Sequence, residues 1–172
     1  NPKKKHHRPD GFQNNYLSFR GKRWHEILRW RWQAWRAGHP KPMLEPIAVT
    51  KPDLAFIHAN ARAGLGMQPA ATWIGHITVL LQVGGLNILT DPVFSERCFP
   101  VQWAGPKRHT PPGLQLSELP RIDVVLLSHN HYDHLDEGSM LALKQQPGGA
   151  PLVICPLGHV AWFARRGMHR VV

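Results

Sequence analysis

Thiol is scarce in this chain. Its 172 residues hold two cysteines, Cys98 and Cys155, far apart and without a C-x-x-C partner, which excludes a disulfide framework and a thiolate zinc site. Both read as small buried hydrophobes. Long hydrophobic runs are missing too, since no apolar stretch nears the roughly 20 residues that a membrane-spanning helix needs. Internal repeats and low-complexity tracts are absent, which removes solenoids and compositionally biased linkers. Acid is also in short supply, with 11 Asp and Glu against 21 Lys and Arg. The deficit is uneven: residues 1–41 set eleven Lys and Arg against only Asp10 and Glu26, a net +9, whereas residues 42–172 come to +1. The partner of that first segment ought to be anionic, namely a phospholipid surface, nucleic acid or an acidic protein face.

What is present fits a globular chain. An apolar content of 42%, dispersed along the sequence, suffices for one domain with a real core. The start at Asn1 leaves a removed targeting segment open. The opening "NPKKKHHRPDGFQNNY" has charge, Pro and Asn but no apolar period, and reads as an extended arm. In "GKRWHEILRWRWQAWRAGHP", helical spacing puts Trp24, Ile27, Leu28, Trp32, Ala34 and Trp35 on one broad face with Trp30 at its edge. The other face carries Lys22, His25, Glu26, Arg29, Gln33 and Arg36, and Gly38 and Pro40 stop the helix. Such a basic amphipathic helix suits a membrane headgroup region, and it equally describes a helix docked on its own protein. Arg31, on the apolar face, counts against a clean membrane reading. Pro40, Pro42, Pro46 and Pro52 mark a linker, so residues 1–69 are grouped as a basic extension.

From residue 70 the pattern becomes dense. "ITVLLQV", the "GG" at 84–85 and "LNILTD" predict a β-hairpin over 77–83 and 86–90. Residues 92–121 hold six prolines and little periodicity, a long loop of the kind kept for a site. "IDVVLLS" reads as an apolar strand covered on both faces. A helix over 136–146, a strand over 152–155, a helix over 157–166 ended by Gly167, and the beginning of a strand at 170–172 complete an α/β layered fold.

The chemistry concentrates in "SHNHYDHLD" at 128–136, directly after that apolar strand. Imidazole and carboxylate are ligands that borderline divalent metals such as zinc accept. His129 and His131 suit one ion, while Asp133 and His134, offset along the loop, suit a second. Two ions about 3.5–4 Å apart can turn water into a nucleophile and neutralise charge on a phosphoryl or carbonyl oxygen. Histidines elsewhere, such as His6, His58 and His109, read as surface or locally satisfied groups.

"HNHYDH" matches the H-x-H-x-D-H signature of the metallo-β-lactamase superfamily. With "TWIGH" at 72–76, "LTDPVFSER" at 89–97, "GPKRH" at 105–109, "ELPRIDVVLLSHNHYDHLD" at 118–136 and "PLG" at 156–158, the chain resembles the N-acylphosphatidylethanolamine-hydrolysing phospholipase D family and its bacterial relatives. The likeness covers about residues 70–172, with a looser echo in "HHRPDGFQNNY". The resemblance implies the N-terminal part of an αββα sandwich with two Zn2+ ions, and phosphodiester cleavage that yields phosphatidic acid and an N-acylethanolamine. It assigns His129 and His131 to the first ion and Asp133 and His134, the residues nearest the chemistry, to the second. Asp91 of "TDP" would steady the ligand loop. His76 of "WIGH" would lie at a strand start near the site, with a structural role placed slightly ahead. Lys107 and Arg108 could meet a lipid phosphate or form an exposed basic loop.

The resembling family supplies further ligands downstream, one histidine for each metal and a bridging aspartate, and this chain stops at Val172 before any of them. His159 and His169 do not stand where such a ligand should. The expectation is therefore an incomplete hydrolase domain over 70–172, a poor metal binder and catalyst alone, with strand edges and apolar faces left for a missing half to cover. Expected partners are a phospholipid substrate and an anionic membrane surface, with a cytoplasmic location held peripherally at the membrane. Nucleic acid is disfavoured and homo-oligomerisation left open. The other readings are a lactonase or nuclease of the same fold, or a non-catalytic fragment that needs a partner chain.

Overall fold

The computed structural model describes residues 4–9, 11–16, 21–38 and 48–172. The chain divides into two compact units, Asn1–Glu45 and Pro46–Val172. That division falls before the 69–70 boundary drawn from composition, and residues 54–62, grouped with the extension, are helix. Three of the linker prolines, Pro40, Pro42 and Pro46, lie outside the described residues.

In the first unit the supposed extended arm pairs two short strands, β1 (His7–Arg8) and β2 (Gly11–Phe12), with His7 opposite Phe12. Arg8 Nε donates to Gln13 Oε1 at 2.6 Å beside them. The predicted amphipathic helix is α1, Trp24–Ala37. Glu26 reaches back to accept the Arg23 backbone N–H at 2.7 Å, and Gly38, with φ 71°, ends the helix. Glu26 in the first turn and Arg36 in the last both oppose the helix dipole.

The second unit begins with α2, Leu54–Arg62, which Asp53 caps by accepting the Phe56 N–H at 2.9 Å. The Pro-Asp pair before an apolar residue was the available signal for it. A five-stranded sheet follows: β3 (Ala70–Gly75), β4 (Thr78–Val83), β5 (Leu86–Thr90), β6 (Val124–Leu126) and β7 (Leu152–Ile154), neighbours in that order. β3, β4 and β5 are antiparallel, whereas β5, β6 and β7 run parallel. The β4–β5 hairpin turns on Gly84 and Gly85, at φ 59° and 81°, a conformation that a side chain would resist. α3 (Glu137–Lys144) crosses from β6 to β7, and α4 (Val160–Ala164) comes after. The strand expected at 170–172 starts as a parallel bridge between Val171 and Val153.

Alternation along the strands selects the core. Leu80, Leu89, Val125 and Val153 pack with Ile57 of α2, Met140 of α3 and Phe163 of α4 in one cluster, so the three helices cover the same sheet face. On the opposite face Leu81, Ile88, Val124 and Leu126 are only half-buried. β6, expected to be covered on both faces, is therefore covered on one among the described residues. Cys98 and Cys155 are likewise partly rather than fully buried. Among the described residues no helix is long and apolar enough to cross a membrane.

A buried polar thread ties α2 to the sheet. Gln82 Nε2 donates to Ile57 O at 3.0 Å and to Asn87 Oδ1 at 2.9 Å, and its Oε1 accepts from Asn60 Nδ2 at 3.3 Å. Asn87 passes the thread on to Arg121 O at 3.0 Å. Truncating Gln82 would leave buried acceptors dry and a cavity behind. Gln82→Ala should lower the unfolding free energy by about 2–4 kcal/mol in urea titration, while exposed Gln145→Ala should stay within about 0.5 kcal/mol.

Candidate metal centre

The site forms where β5 and β6 end side by side. Their register pairs Thr90 with Leu126, and the Asp91 N–H extends it by donating to Leu126 O at 2.9 Å. Asp91 is 3% exposed and has φ 33°. Its side chain meets the loop that leaves β6: Oδ1 accepts the Ser128 N–H at 2.7 Å, and Oδ2 accepts the Ser128 hydroxyl at 2.7 Å. A tight turn, in which the N–H groups of His134 and Leu135 both donate to His131 O at 3.0 and 2.7 Å, folds the loop back. His134 Nδ1 thereby arrives 2.9 Å from Asp91 Oδ2.

These contacts assign the ring protons. A carboxylate only accepts, so Nδ1 of His134 carries a hydrogen, and in the neutral ring Nε2 keeps its lone pair. Ser128 has one hydroxyl proton and gives it to Asp91, so its oxygen is left to accept from His129 Nδ1 at 2.9 Å. The Nε2 of His129 is thus also left as a donor atom for a metal. One buried carboxylate and one hydroxyl set two imidazoles in the ligating tautomer.

His76 enters from the turn between β3 and β4. Its backbone holds φ 50°, and its carbonyl accepts Trp73 Nε1–H at 3.0 Å. Asp91 and His76 are the non-glycine residues with positive φ among those described, and both stand at this site, where tertiary packing can hold a strained backbone. His76 Nε2 lies 3.3 Å from Asp133 Oδ2, and His134 Nε2 lies 3.7 Å from the same oxygen. Ligand atoms of His76, Asp133 and His134 all fall within 4.8 Å of one another. Burial alone would raise the Asp133 carboxyl, but a bond to its own backbone N–H and the nearby His134 and His76 outweigh it and hold it below the ordinary carboxylate value. The aspartate is anionic, and two imidazoles face it. This nitrogen and oxygen donor set fits a divalent cation.

The expected ligands are thus neighbours, with Asp133 and His134 in one group that His76 joins. The His129 ring lies tilted 3.8 Å from His134 and edge-on 4.6 Å from His131, centre to centre, while the converging three-residue group takes in His76 instead of either. His76, with a side chain 54% exposed, sits in the donor cluster rather than in the surrounding packing. Lys107 pairs with Glu96 at 2.6 Å, a hydrogen bond that holds the Glu96 carboxyl below its usual value. Arg108 gives Nε to Ser95 O at 3.0 Å and an Nη to Val93 O at 2.7 Å. Both basic groups therefore have partners inside their own loop, where with His76 and Asp133 they line a cavity of about 350 Å³. Sequence reasoning passed over Ser128, although a hydroxyl directly between an apolar strand and a histidine run was a usable signal.

A strand-end carboxylate that orients a histidine loop beside converging donors defines an α/β domain with a candidate metal-binding group where its inner strands β5 and β6 end. The chain belongs to the β-lactamase superfamily domain family, whose model matches residues 86–171. It is 46% identical over 99 residues to an uncharacterized protein of Mycobacterium tuberculosis, covering 58% of this chain and 26% of that one. It is 41% identical over 100 residues to N-acyl-phosphatidylethanolamine-hydrolyzing phospholipase D 1 of Caenorhabditis elegans, covering 57% and 27%. A metal-dependent hydrolase of Anaeromyxobacter sp. shares 30% over 125 residues, covering 71% and 40%. The chain thus spans about a quarter of the length of the first two relatives. The family is the one the motifs suggested.

Because Asp91 fixes two ligands at once, Asp91→Asn should weaken divalent-metal affinity about 10–100-fold in competition with a chromophoric chelator. Ser128→Ala should act in the same direction and shift the 15N resonances of His129 in metal-free protein. Unaltered affinity and spectra in both variants would contradict the tautomer assignment.

Proposed function

We propose that this chain carries the metal-gripping portion of a metal-dependent hydrolase, and more narrowly of a zinc-dependent phosphodiesterase acting on N-acylphosphatidylethanolamine-like phospholipids. The observation that carries the proposal is the convergence of His76, Asp133 and His134, with the Nδ1 hydrogen of His134 held by Asp91. The narrower substrate is supported by the 41% identity to the Caenorhabditis elegans phospholipase D.

In this reading His129, His131, Asp133 and His134 hold two Zn2+ ions, and His76 stands beside Asp133. A donor set of imidazoles and a carboxylate is one that zinc accepts. A divalent cation bound there supplies a Lewis acid that makes water nucleophilic near neutral pH and neutralises charge on the attacked phosphate. The chain's own residues provide orientation. Asp91 and Ser128 keep the hydrogens of His134 and His129 on Nδ1 and so hold both Nε2 lone pairs on the open side. Arg108 ties the loop that walls the adjacent cavity, about 350 Å³, to carbonyls at 93 and 95, giving a rigid rim to a space of headgroup size.

The net reaction is a hydrolysis. The water oxygen joins phosphorus, the phosphorus–oxygen bond to the N-acylethanolamine breaks, and the leaving oxygen takes up the proton that water gives up. Phosphatidic acid and N-acylethanolamine result.

The test uses the complete protein with zinc and N-acylphosphatidylethanolamine in mixed micelles, following N-acylethanolamine by mass spectrometry. His134→Ala and Asp133→Asn should each lower the rate about 100-fold or more. A chelator should abolish turnover and added Zn2+ restore it. An unchanged rate in both variants would overturn the site, and turnover of a lactone in place of the phospholipid would overturn the substrate.

A further inference from the structure

α1, Trp24–Ala37, buries none of its residues. Trp24, Trp30, Trp32 and Trp35 are 73%, 66%, 53% and 75% exposed, which is a great deal of indole for one short helix to leave in water. At 100° per residue Trp24, Leu28, Trp32 and Trp35 share a continuous arc, while Arg29, Gln33 and Arg36 lie opposite. The helix sits in a segment, residues 1–41, whose net charge is +9. We infer that α1 is a docking surface for an anionic lipid bilayer, lying in the headgroup plane with its tryptophan arc inward.

Two observations choose lipid over other occupants. Indole has an apolar body and one N–H donor, and the boundary between acyl chains and headgroups satisfies both. The excess positive charge complements anionic headgroups, and guanidinium groups pair with phosphate in bidentate fashion. Arg31, which interrupts the apolar arc near its middle, is compatible with lipid only if its charge stays at the surface. At headgroup depth its long stem can run along the apolar surface while the guanidinium reaches a lipid phosphate. A nucleic acid would take the charges and stack on some indoles, yet it would leave Ile27, Leu28 and Ala34 wet.

The inference goes beyond the hydrolase reading and stands on a different part of the chain, so the two fail separately. The test measures binding of the complete protein, metal-free, to vesicles of phosphatidylcholine with and without phosphatidylglycerol at about one third. Affinity should be about 100-fold tighter for the anionic vesicles and should fall as NaCl rises from roughly 0.05 to 0.5 M. Tryptophan emission should move to the blue and be quenched by brominated acyl chains. Trp24→Ala with Trp35→Ala should remove most of that quenching. Arg29→Glu with Arg36→Glu should remove the preference for phosphatidylglycerol while circular dichroism stays unchanged. Equal binding to both vesicles, quenching that persists in the double tryptophan variant, or tight saturable RNA binding with indifference to vesicles would each overturn it. Because ligand loading is left out, a failed hydrolase assay has no bearing on the outcome.

Discussion

A carboxylate buried at the end of β5 is the constraint on which the rest of the second unit's chemistry depends. Asp91 is 3% exposed, and an acid taken so far from water must find hydrogen-bond donors. It finds three, and all belong to the loop after β6: the Ser128 N–H, the Ser128 hydroxyl and His134 Nδ1. Satisfying the fold and orienting the histidines are therefore the same event. The parallel register of Thr90 with Leu126 makes the arrangement available, because it ends both strands at one level. Had the register slipped by one residue, Asp91 would point to the other face of the sheet and the histidine loop would lose its anchor.

Around that anchor the chain builds a rim. The long proline-bearing loop is held shut from two sides. Asp136, itself buried, accepts from the Phe94 and Ser95 N–H groups at 3.2 and 3.0 Å and from the Ser95 hydroxyl at 2.8 Å. Arg108 grips the carbonyls of Val93 and Ser95 from the other side. Burial lowers the Arg108 guanidinium, with Asp136 and then Cys98 opposing that effect. A loop of thirty or so residues can carry function only if its entropy is restrained, and here the restraint comes from side chains that bond to its backbone. Lys107 and Arg108, which could meet a lipid phosphate or form an exposed basic loop, both bond within the site's wall.

The two units use charge in different ways. In Pro46–Val172 acid and base are nearly balanced, and the charged groups near the site have partners within the fold: His76 with Asp133, Lys107 with Glu96, Arg166 with Glu137. In Asn1–Glu45 the positive charge is in excess and the aromatic surface is uncovered. The candidate donor cluster and the exposed basic, tryptophan-rich helix thus belong to separate compact units.

Much of this organisation was legible along the chain. The alternation of "ITVLLQV" about a Gly-Gly turn, the apolar strand before the histidines, the helices that follow and the tryptophan face of α1 are short-range patterns, written in windows no longer than the elements themselves. α2 was missed because its signal was a Pro-Asp cap inside a stretch dominated by prolines, and β3 because "AATWIG" is small and weakly patterned. The donor set was legible only in part, since the motif displays residues 129–134 but not what reaches them. His76 meets Asp133 across 57 positions of sequence, and Asp91 meets His134 across 43. The sequence by itself determined which elements form and which side chains can ligate, because propensity, cap and turn chemistry act between near neighbours. Only the tertiary structure decided which of those side chains converge, which ring nitrogen keeps its lone pair and which cations are already paired. Those outcomes depend on strand register and crossover, which juxtapose residues that no local pattern connects.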